Sequence, residues 1–252
     1  MPTPKLIAWL VLICLTSTVR ISAQTQSPVP TENIIAHMTQ ADERNHAHFR
    51  PYVVTVDYKL FGKQAVVPDS DVIAELTFVP PHLKNFAIQD VNGAHIGERI
   101  VRRMLEAQMA FAKDSGSTAI SKDNYDFRFI REDEVKGHRC YMLELLPRRN
   151  AKNLLQGNVW VDAETYLPYR VEGEPVKSSS WWLKDVRIVL LFGYVGEMWV
   201  QTSSESTAYV RIVGQYKMIS EVLSYQINRP SAVRSPVQAA GFSDARSEFH
   251  IP

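Results

Sequence analysis

The sequence predicts an α+β fold built on one large antiparallel β-sheet, which curls into a half-barrel with helices covering its concave face. Three observations indicate this class. About eleven short segments with a two-residue apolar repeat follow one another and are joined by turn-forming residues. Two segments with helical spacing accompany them. A sheet with so many strands accumulates twist and curls, and its apolar inner side must then be covered.

The first 23 residues indicate an exported protein. Lys5 precedes an uninterrupted apolar run from Leu6 to Leu15. Ser22 and Ala23 are small residues of the kind that precedes a signal-peptide cleavage site. This run is too short to cross a bilayer, which needs about 20 apolar residues. The pattern therefore predicts a signal peptide at residues 1–23 that is cleaved after Ala23, and the alternative is an uncleaved membrane anchor.

Charge and cysteine content limit the partner classes. The whole chain has 28 Lys and Arg against 27 Asp and Glu, and cleavage would remove Lys5 and Arg20, which leaves a net charge near −1. Without a basic block, this charge argues against nucleic acid as a partner. Cys140 would be the one remaining cysteine, so the fold must depend on its apolar core rather than on a disulfide.

The first predicted element of the domain is a helix from Thr31 to Phe49, which follows a flexible mature N-terminus at residues 24–32. Thr31 is a candidate N-cap, and Ile34, Ile35, Met38 and Ala41 fall on one face of the helix. The apolar period then changes to two, as expected for a half-buried strand. The predicted strands are Tyr52–Phe61, Asp71–Val79, Lys84–Asp90, Tyr125–Arg131, His138–Leu146, Gly157–Asp162, Tyr166–Glu174, Lys184–Phe192, Glu197–Ser203, Thr207–Val213 and Tyr216–Ile227.

A second helix, Ile96–Lys113, interrupts the strands and carries apolar residues along one face and charged residues along the other. After Ile227 the composition shifts to Pro, Ser, Ala and Arg with little periodicity, which predicts a disordered tail at residues 228–252. The half-barrel domain is accordingly predicted at residues 33–227.

One predicted hairpin, Gly157–Glu174, carries a family resemblance. Its first strand ends at Asp162, a carboxylate suited to accept backbone N–H groups in the turn, and the return strand has Pro168 followed by Arg170. This pattern resembles the repeated hairpin of the LolA/LolB family of periplasmic lipoprotein carriers and receptors, to which the RseB/MucB N-terminal domain is related. Family members commonly have Gly at the position of Tyr166, where a left-handed Tyr would cost about 1–2 kcal/mol.

The resemblance covers about Asn33 to Ile227 as an order of elements. It implies a non-enzymatic protein of the Gram-negative periplasm, without a cofactor, that shelters lipid or lipoprotein acyl chains in an apolar cavity during lipoprotein sorting or envelope lipid handling. The alternating stripes predict the lining, because residues two apart on a strand share one face of the sheet. The predicted lining residues are Val54, Val56, Tyr58, Leu60, Leu76, Phe78, Leu143 and Met198.

Two groups of side chains are candidates for contact with a membrane or a protein partner. Trp181 and Trp182 follow a Ser-rich segment, and a pair of tryptophans in a loop suits a lipid interface or a protein contact. Arg99, Arg102 and Arg103 form the densest basic cluster. Lipid headgroups or an acidic partner could use these charges, and a solvated helix face also explains them.

Two other functional classes stay open. The same fold could be a protein-interaction or envelope-stress sensor scaffold whose cavity is filled by its own side chains. Cys140 and His138 share a strand face and could form a thiolate–imidazole nucleophile, so a hydrolase is the second alternative. No metal site is predicted, because His46 and His48 diverge at a helix end and lack further ligands.

Overall fold

The computed structural model describes residues 30–62, 66–80, 82–111, 116, 118–177, 183–211 and 214–227. The predicted signal peptide, most of the predicted flexible N-terminus and the predicted tail lie outside these residues. The described elements, in chain order, are α1 (Thr31–His48), β1 (Tyr52–Phe61), β2 (Ser70–Val79), β3 (His82–Gly93), α2 (His95–Phe111), β4 (Tyr125–Val135), β5 (His138–Pro147), β6 (Leu155–Asp162), β7 (Pro168–Pro175), β8 (Leu183–Val195), β9 (Met198–Val210) and β10 (Gly214–Ile227).

The strands form one open antiparallel sheet in the order β3-β2-β1-β10-β9-β8-β7-β6-β5-β4. The first and last strands of the domain are neighbours near the middle of this sheet, and β3 and β4 are its two edges. The predicted α+β class with a single curved antiparallel sheet is therefore confirmed. No helix in the described part of the chain is long and apolar enough to cross a membrane.

The strand count differs from the prediction at one place. The predicted strands Glu197–Ser203 and Thr207–Val213 form the single strand β9, so the described residues contain ten strands rather than about eleven. The polar segment between them suggested a turn, but Ser204 pairs with Ser220 on one side and with Leu190 on the other. Hydrogen bonds to strands on both sides keep this segment extended despite its weak β-propensity.

Both helices pack on the same face of the sheet, which we call the inner face; the opposite side is the outer face. One row of directly paired residues crosses the inner face through every strand, so the alternation of side chains can be followed from edge to edge. In spatial order from β3 to β4 the row is Val91, Val72, Tyr58, Ser220, Ser204, Leu190, Val171, Val159, Leu143 and Phe129.

The helices divide the inner face into two packed regions. α2 inserts Val101 and Leu105 among the side chains of β1 and β2, which we call the α2 cluster. α1 inserts Ile34 and Met38 among the side chains of β5, β6 and β7, which we call the α1 cluster. All four inserted residues have at most 6% of their surface exposed, so each helix covers one of the two packed regions.

The C-terminal part of α1 is attached to the sheet by a buried amide. Asn45 follows Ile34, Met38 and Ala41 on the buried helix face. Its Nδ2 donates to the carbonyl oxygen of Trp199 over 2.9 Å, and its Oδ1 accepts the N–H of Trp199 over 2.8 Å. One side chain thus satisfies both backbone groups of Trp199, a residue near the start of β9.

The hairpin of β6 and β7 contains the turn that its sequence predicts. Asp162 Oδ1 accepts the N–H of Glu164 and both the N–H and the hydroxyl of Thr165, at 2.8 to 3.1 Å. Tyr166 has φ of 59°, so the left-handed conformation is kept without glycine. Its ring lies 4.5 Å from the ring of His37 on α1, and this contact offsets part of the backbone cost.

Candidate ligand-binding site

The inner face has a partly exposed zone between the two packed regions. We call the side chains of this zone the central strip, which consists of Ile188 and Leu190 on β8, Ser204 and Ser206 on β9, and Met218 and Ser220 on β10. They form two adjacent cross-strand rows. One row consists of Leu190, Ser204 and Ser220, and the other consists of Ile188, Ser206 and Met218. Ser220 is buried, and the other five side chains are half-buried.

The central strip lies between the two packed regions of the inner face. α2 packs on β2 and β3, and α1 packs on β4 and on the start of β9, where Asn45 contacts Trp199. Leu190 extends the α1 cluster and Met218 extends the α2 cluster. The strip is therefore a surface between two packed walls, with apolar groups at both sides and hydroxyl groups along its middle.

The eight predicted lining residues all belong to the inner-face packing. Seven of them, including Val54 and Val56, have at most 6% of their surface exposed, and Phe78 is half-buried against the ring of Tyr52. Leu143 belongs to the α1 cluster, and the others belong to the α2 cluster. None of them lies in the central strip, so an acyl chain would reach most of them only if a helix moved away from the sheet.

The residues of the central strip were not predicted as a site. The sequence indicates these residues only in part. Ile188 and Leu190 follow the two-residue apolar repeat of a strand, whereas the serines of β9 interrupt that repeat. The missing information is spatial. β9 and β10 become the middle of the sheet only because β1 pairs with β10, a contact between residues about 170 positions apart, such as Tyr52 and Ile227.

The predicted interface residues fall into two groups. Arg99, Arg102 and Arg103 lie on the exposed face of α2, and Arg102 forms an ion pair with Glu98 over 2.6 Å. Trp181 and Trp182 lie outside the described residues. The described part of α2 thus presents guanidinium groups to solvent, as the amphipathic pattern predicts.

Cys140 and His138 share the outer face, as predicted, but their functional groups do not meet. The Cys140 thiol donates to the carbonyl oxygen of His138 over 3.5 Å, and His138 Nδ1 lies 3.2 Å from Asp162 Oδ2. Burial, together with the charges of Asp162 and Asp133, raises the pKa of the Cys140 thiol to about 11. This cysteine is a buried neutral thiol near pH 7, and a thiolate nucleophile would need a lowered pKa.

A cleft of about 560 Å³ lies on the outer face, beneath the β4–β5 hairpin. Its walls include Trp160, Leu191 and several charged groups, among them Arg170 and Glu205. The Arg170 guanidinium lies 5.0 Å from the centre of the Trp160 ring, and the indole N–H donates to Asp133 over 3.0 Å. Desolvating these charges would oppose the entry of a hydrocarbon, so the central strip suits an apolar ligand better than this cleft does.

A carboxyl pair on the outer face predicts a pH dependence of stability. Asp57 is 7% exposed and forms an ion pair with Lys59 over 2.6 Å. The pKa of Asp71 is raised above the usual aspartate range. The largest cause is the burial of Asp71, followed by its hydrogen bond with Asp57 and the negative charge of Asp57. The folded state therefore holds this proton more tightly than the unfolded state, and the stabilisation is complete at low pH and is lost as pH rises through the raised pKa.

Asp71→Asn is expected to abolish this loss. The thermal midpoint of the variant should rise relative to that of the wild type as pH increases from about 4 to 7. Thermal melts of both proteins at several pH values would measure this difference. Glu75→Gln, an exposed position on the same strand and the same face, is the control and should show no such trend. A difference between Asp71→Asn and wild type that is constant with pH would contradict the assignment.

Comparisons with known proteins show similarity of fold. The sequence matches no protein-family model and no curated protein. A DUF1329 family protein from Desulfovibrio piger is 12% identical, with 79% of this chain and 93% of that chain covered and a TM-score of 0.44. An outer membrane lipoprotein-sorting protein domain from Vibrio parahaemolyticus is 15% identical, with 76% and 92% covered and a TM-score of 0.40. A LolA superfamily protein from Nitrosomonas europaea is 11% identical, with 80% and 94% covered and a TM-score of 0.37. Proteins of the family named from the hairpin are thus among the structures that this chain resembles.

Proposed function

We propose that this protein is a periplasmic binding protein that shelters an acyl chain of a lipid or lipoprotein on its central strip. The observation that carries the proposal is the partly exposed apolar surface between two packed walls on the helix-covered face. A covered apolar surface is stabilised by about 25 cal/mol for each Å² removed from water, so a ligand that covers these side chains gains free energy.

The shape and polarity of the strip favour a narrow hydrocarbon. Ile188 and Leu190 form one apolar side, and Met218 forms the other next to the α2 cluster. An acyl chain can lie between these sides without burying a charge, whereas the outer face would oppose it with ion pairs such as Lys217–Glu205. We infer binding rather than catalysis, with no cofactor, and no role for nucleic acid.

We further propose that the protein is exported to the periplasm after cleavage of a signal peptide. Removal of residues 1–23 would leave a mature chain that begins at Gln24. The small residues Ser22 and Ala23 before this position support the cleavage. Arg99 and Arg103 on the exposed face of α2 are proposed to contact headgroups of the envelope membrane during ligand transfer.

Leu190→Gln is expected to weaken acyl-chain binding by roughly 10- to 100-fold. The change replaces a branched hydrocarbon in the strip by an amide, which corresponds to a loss of about 1.5–3 kcal/mol of apolar burial by the ligand. Titration of the mature protein with a fluorescent fatty acid would measure the dissociation constant. Thermal melts of the same samples would show that the fold is intact, since Leu190 is half-buried.

Val189→Gln is the matched control for this change. Val189 is the adjacent residue on β8, is also half-buried, and lies on the outer face between Glu172 and Glu205. It should bind the fatty acid as the wild type does. Equal loss in both variants, or no loss in either, would contradict the proposed site.

A scaffold for a protein partner is the second candidate, and the packing of the predicted lining supports it. Val54, Val56 and Leu143 are buried among side chains of the protein itself, which is the arrangement expected of a filled cavity. Wild-type protein that takes up no fatty acid at all would favour the scaffold over the carrier.

A further inference from the structure

Two hydroxyl groups lie side by side near the middle of an otherwise apolar or aromatic row. Ser220 and Ser204 are the fourth and fifth of the ten residues that cross the inner face, and Tyr58 and Leu190 flank them. Ser220 is 6% exposed, so its hydroxyl is nearly removed from water. The two Oγ atoms lie 2.7 Å apart and form one hydrogen bond.

The hydrogen-bonding capacity of this pair exceeds what the pair itself uses. Two serine hydroxyls carry two protons and four lone pairs, and the bond between them uses one proton. Among the residues that the structure describes, neither hydroxyl forms a further hydrogen bond, so one hydroxyl proton remains to be donated near the middle of the central strip. Ser206, two residues from Ser204 on the same face, adds a third hydroxyl beside Met218.

We propose that Ser204 and Ser220, with Ser206 beside them, donate a hydrogen bond to the acyl carbonyl oxygen of the ligand. This inference rests on the proposed function, because it places the polar end of the acyl group on the strip whose apolar sides hold its chain. A carbonyl oxygen needs a donor when it leaves water, and a buried hydroxyl supplies one without burying a charge. The ligand class is thus an acylated amphiphile, either a free fatty acid or an acyl ester or amide.

The paired variant Ser204→Ala/Ser220→Ala tests this assignment with little effect on folding. Removal of both hydroxyls leaves neither one unpaired, and such a double replacement is close to neutral for stability. Ser203→Ala is the control, since Ser203 is the neighbouring serine of β9 on the outer face and pairs with Glu221. The three probes are pyrenedecanoic acid, its methyl ester, and decylpyrene, which has the chain but no carbonyl.

In the paired variant we expect roughly tenfold weaker binding of the carbonyl-bearing probes and unchanged binding of decylpyrene, with Ser203→Ala like wild type for all three. Loss for the acid alone identifies a carboxylate ligand, and loss for acid and ester identifies an ester or amide carbonyl. Equal effects on all three probes, or no effect on any, would overturn the inference while leaving the proposed function in place. Failure of wild-type protein to bind even decylpyrene would instead reject the proposed function together with the inference.

Discussion

Val54→Asp is expected to unfold the domain at temperatures where the wild type is fully folded. Val54 is 3% exposed in the α2 cluster and pairs with Leu76 on β2 and Tyr225 on β10. An unpaired carboxylate there would cost several kcal/mol, which is a large part of the about 5–15 kcal/mol that stabilises a typical domain. The thermal midpoint should fall by more than about 10 °C.

Val53→Asp provides a control of the same residue type on the same strand. Val53 is half-buried on the outer face, where its neighbours are the polar residues Thr77 and Gln226. Its carboxylate can stay hydrated, so the midpoint should change by no more than a few degrees. A Val54→Asp variant as stable as Val53→Asp would mean that water reaches the α2 cluster and that β1 lines an open hollow.

Asn45→Ala is expected to lower the free energy of unfolding by about 2–6 kcal/mol. The change removes both hydrogen bonds to the backbone of Trp199, and each buried group left without a partner costs about 1–3 kcal/mol. Trp199 is 8% exposed, so water cannot fully replace the amide. Chemical denaturation of wild type and variant would measure the difference.

Glu43→Ala is the control for Asn45→Ala, because Glu43 lies on the exposed side of the same helix. It should change the free energy of unfolding by less than about 0.5 kcal/mol. An equally small effect of Asn45→Ala would show that the amide does not hold α1 against β9. The wall beside Trp199 would then be free to move.

Periodicity predicted most of the fold because each strand buries one side. Tyr52, Val54, Val56, Tyr58 and Leu60 alternate in the sequence and are the buried residues of β1's inner face. Each helix also buries one side, and the helical spacing of its apolar residues predicted both helices within two residues of their described bounds. Asp162 predicted its turn for a local reason, since its side chain bonds to groups only two and three positions away.

The candidate site could not be predicted in this way because it depends on contacts distant in the sequence. The serines of β9 read as a break, and only pairing with Leu190 and Ser220 makes Ser204 part of a strand. Asn45 is a polar residue near a helix end, and nothing local indicates its contact with Trp199, 154 positions away. Val54, Val56 and Tyr58 lie on the inner face that their alternation indicates, and their role in lining a cavity for a ligand stays a prediction.

The most direct test of an acyl-binding strip is to ask whether the exported protein carries an acyl ligand. The mature protein would be purified without detergent, extracted with organic solvent, and the extract analysed by mass spectrometry, with Leu190→Gln processed in parallel. The account predicts acyl lipids at close to one per protein molecule in the wild type and strongly reduced amounts in Leu190→Gln. Wild-type protein that yields no acyl lipid, and also takes up none from added phospholipid vesicles, would contradict it.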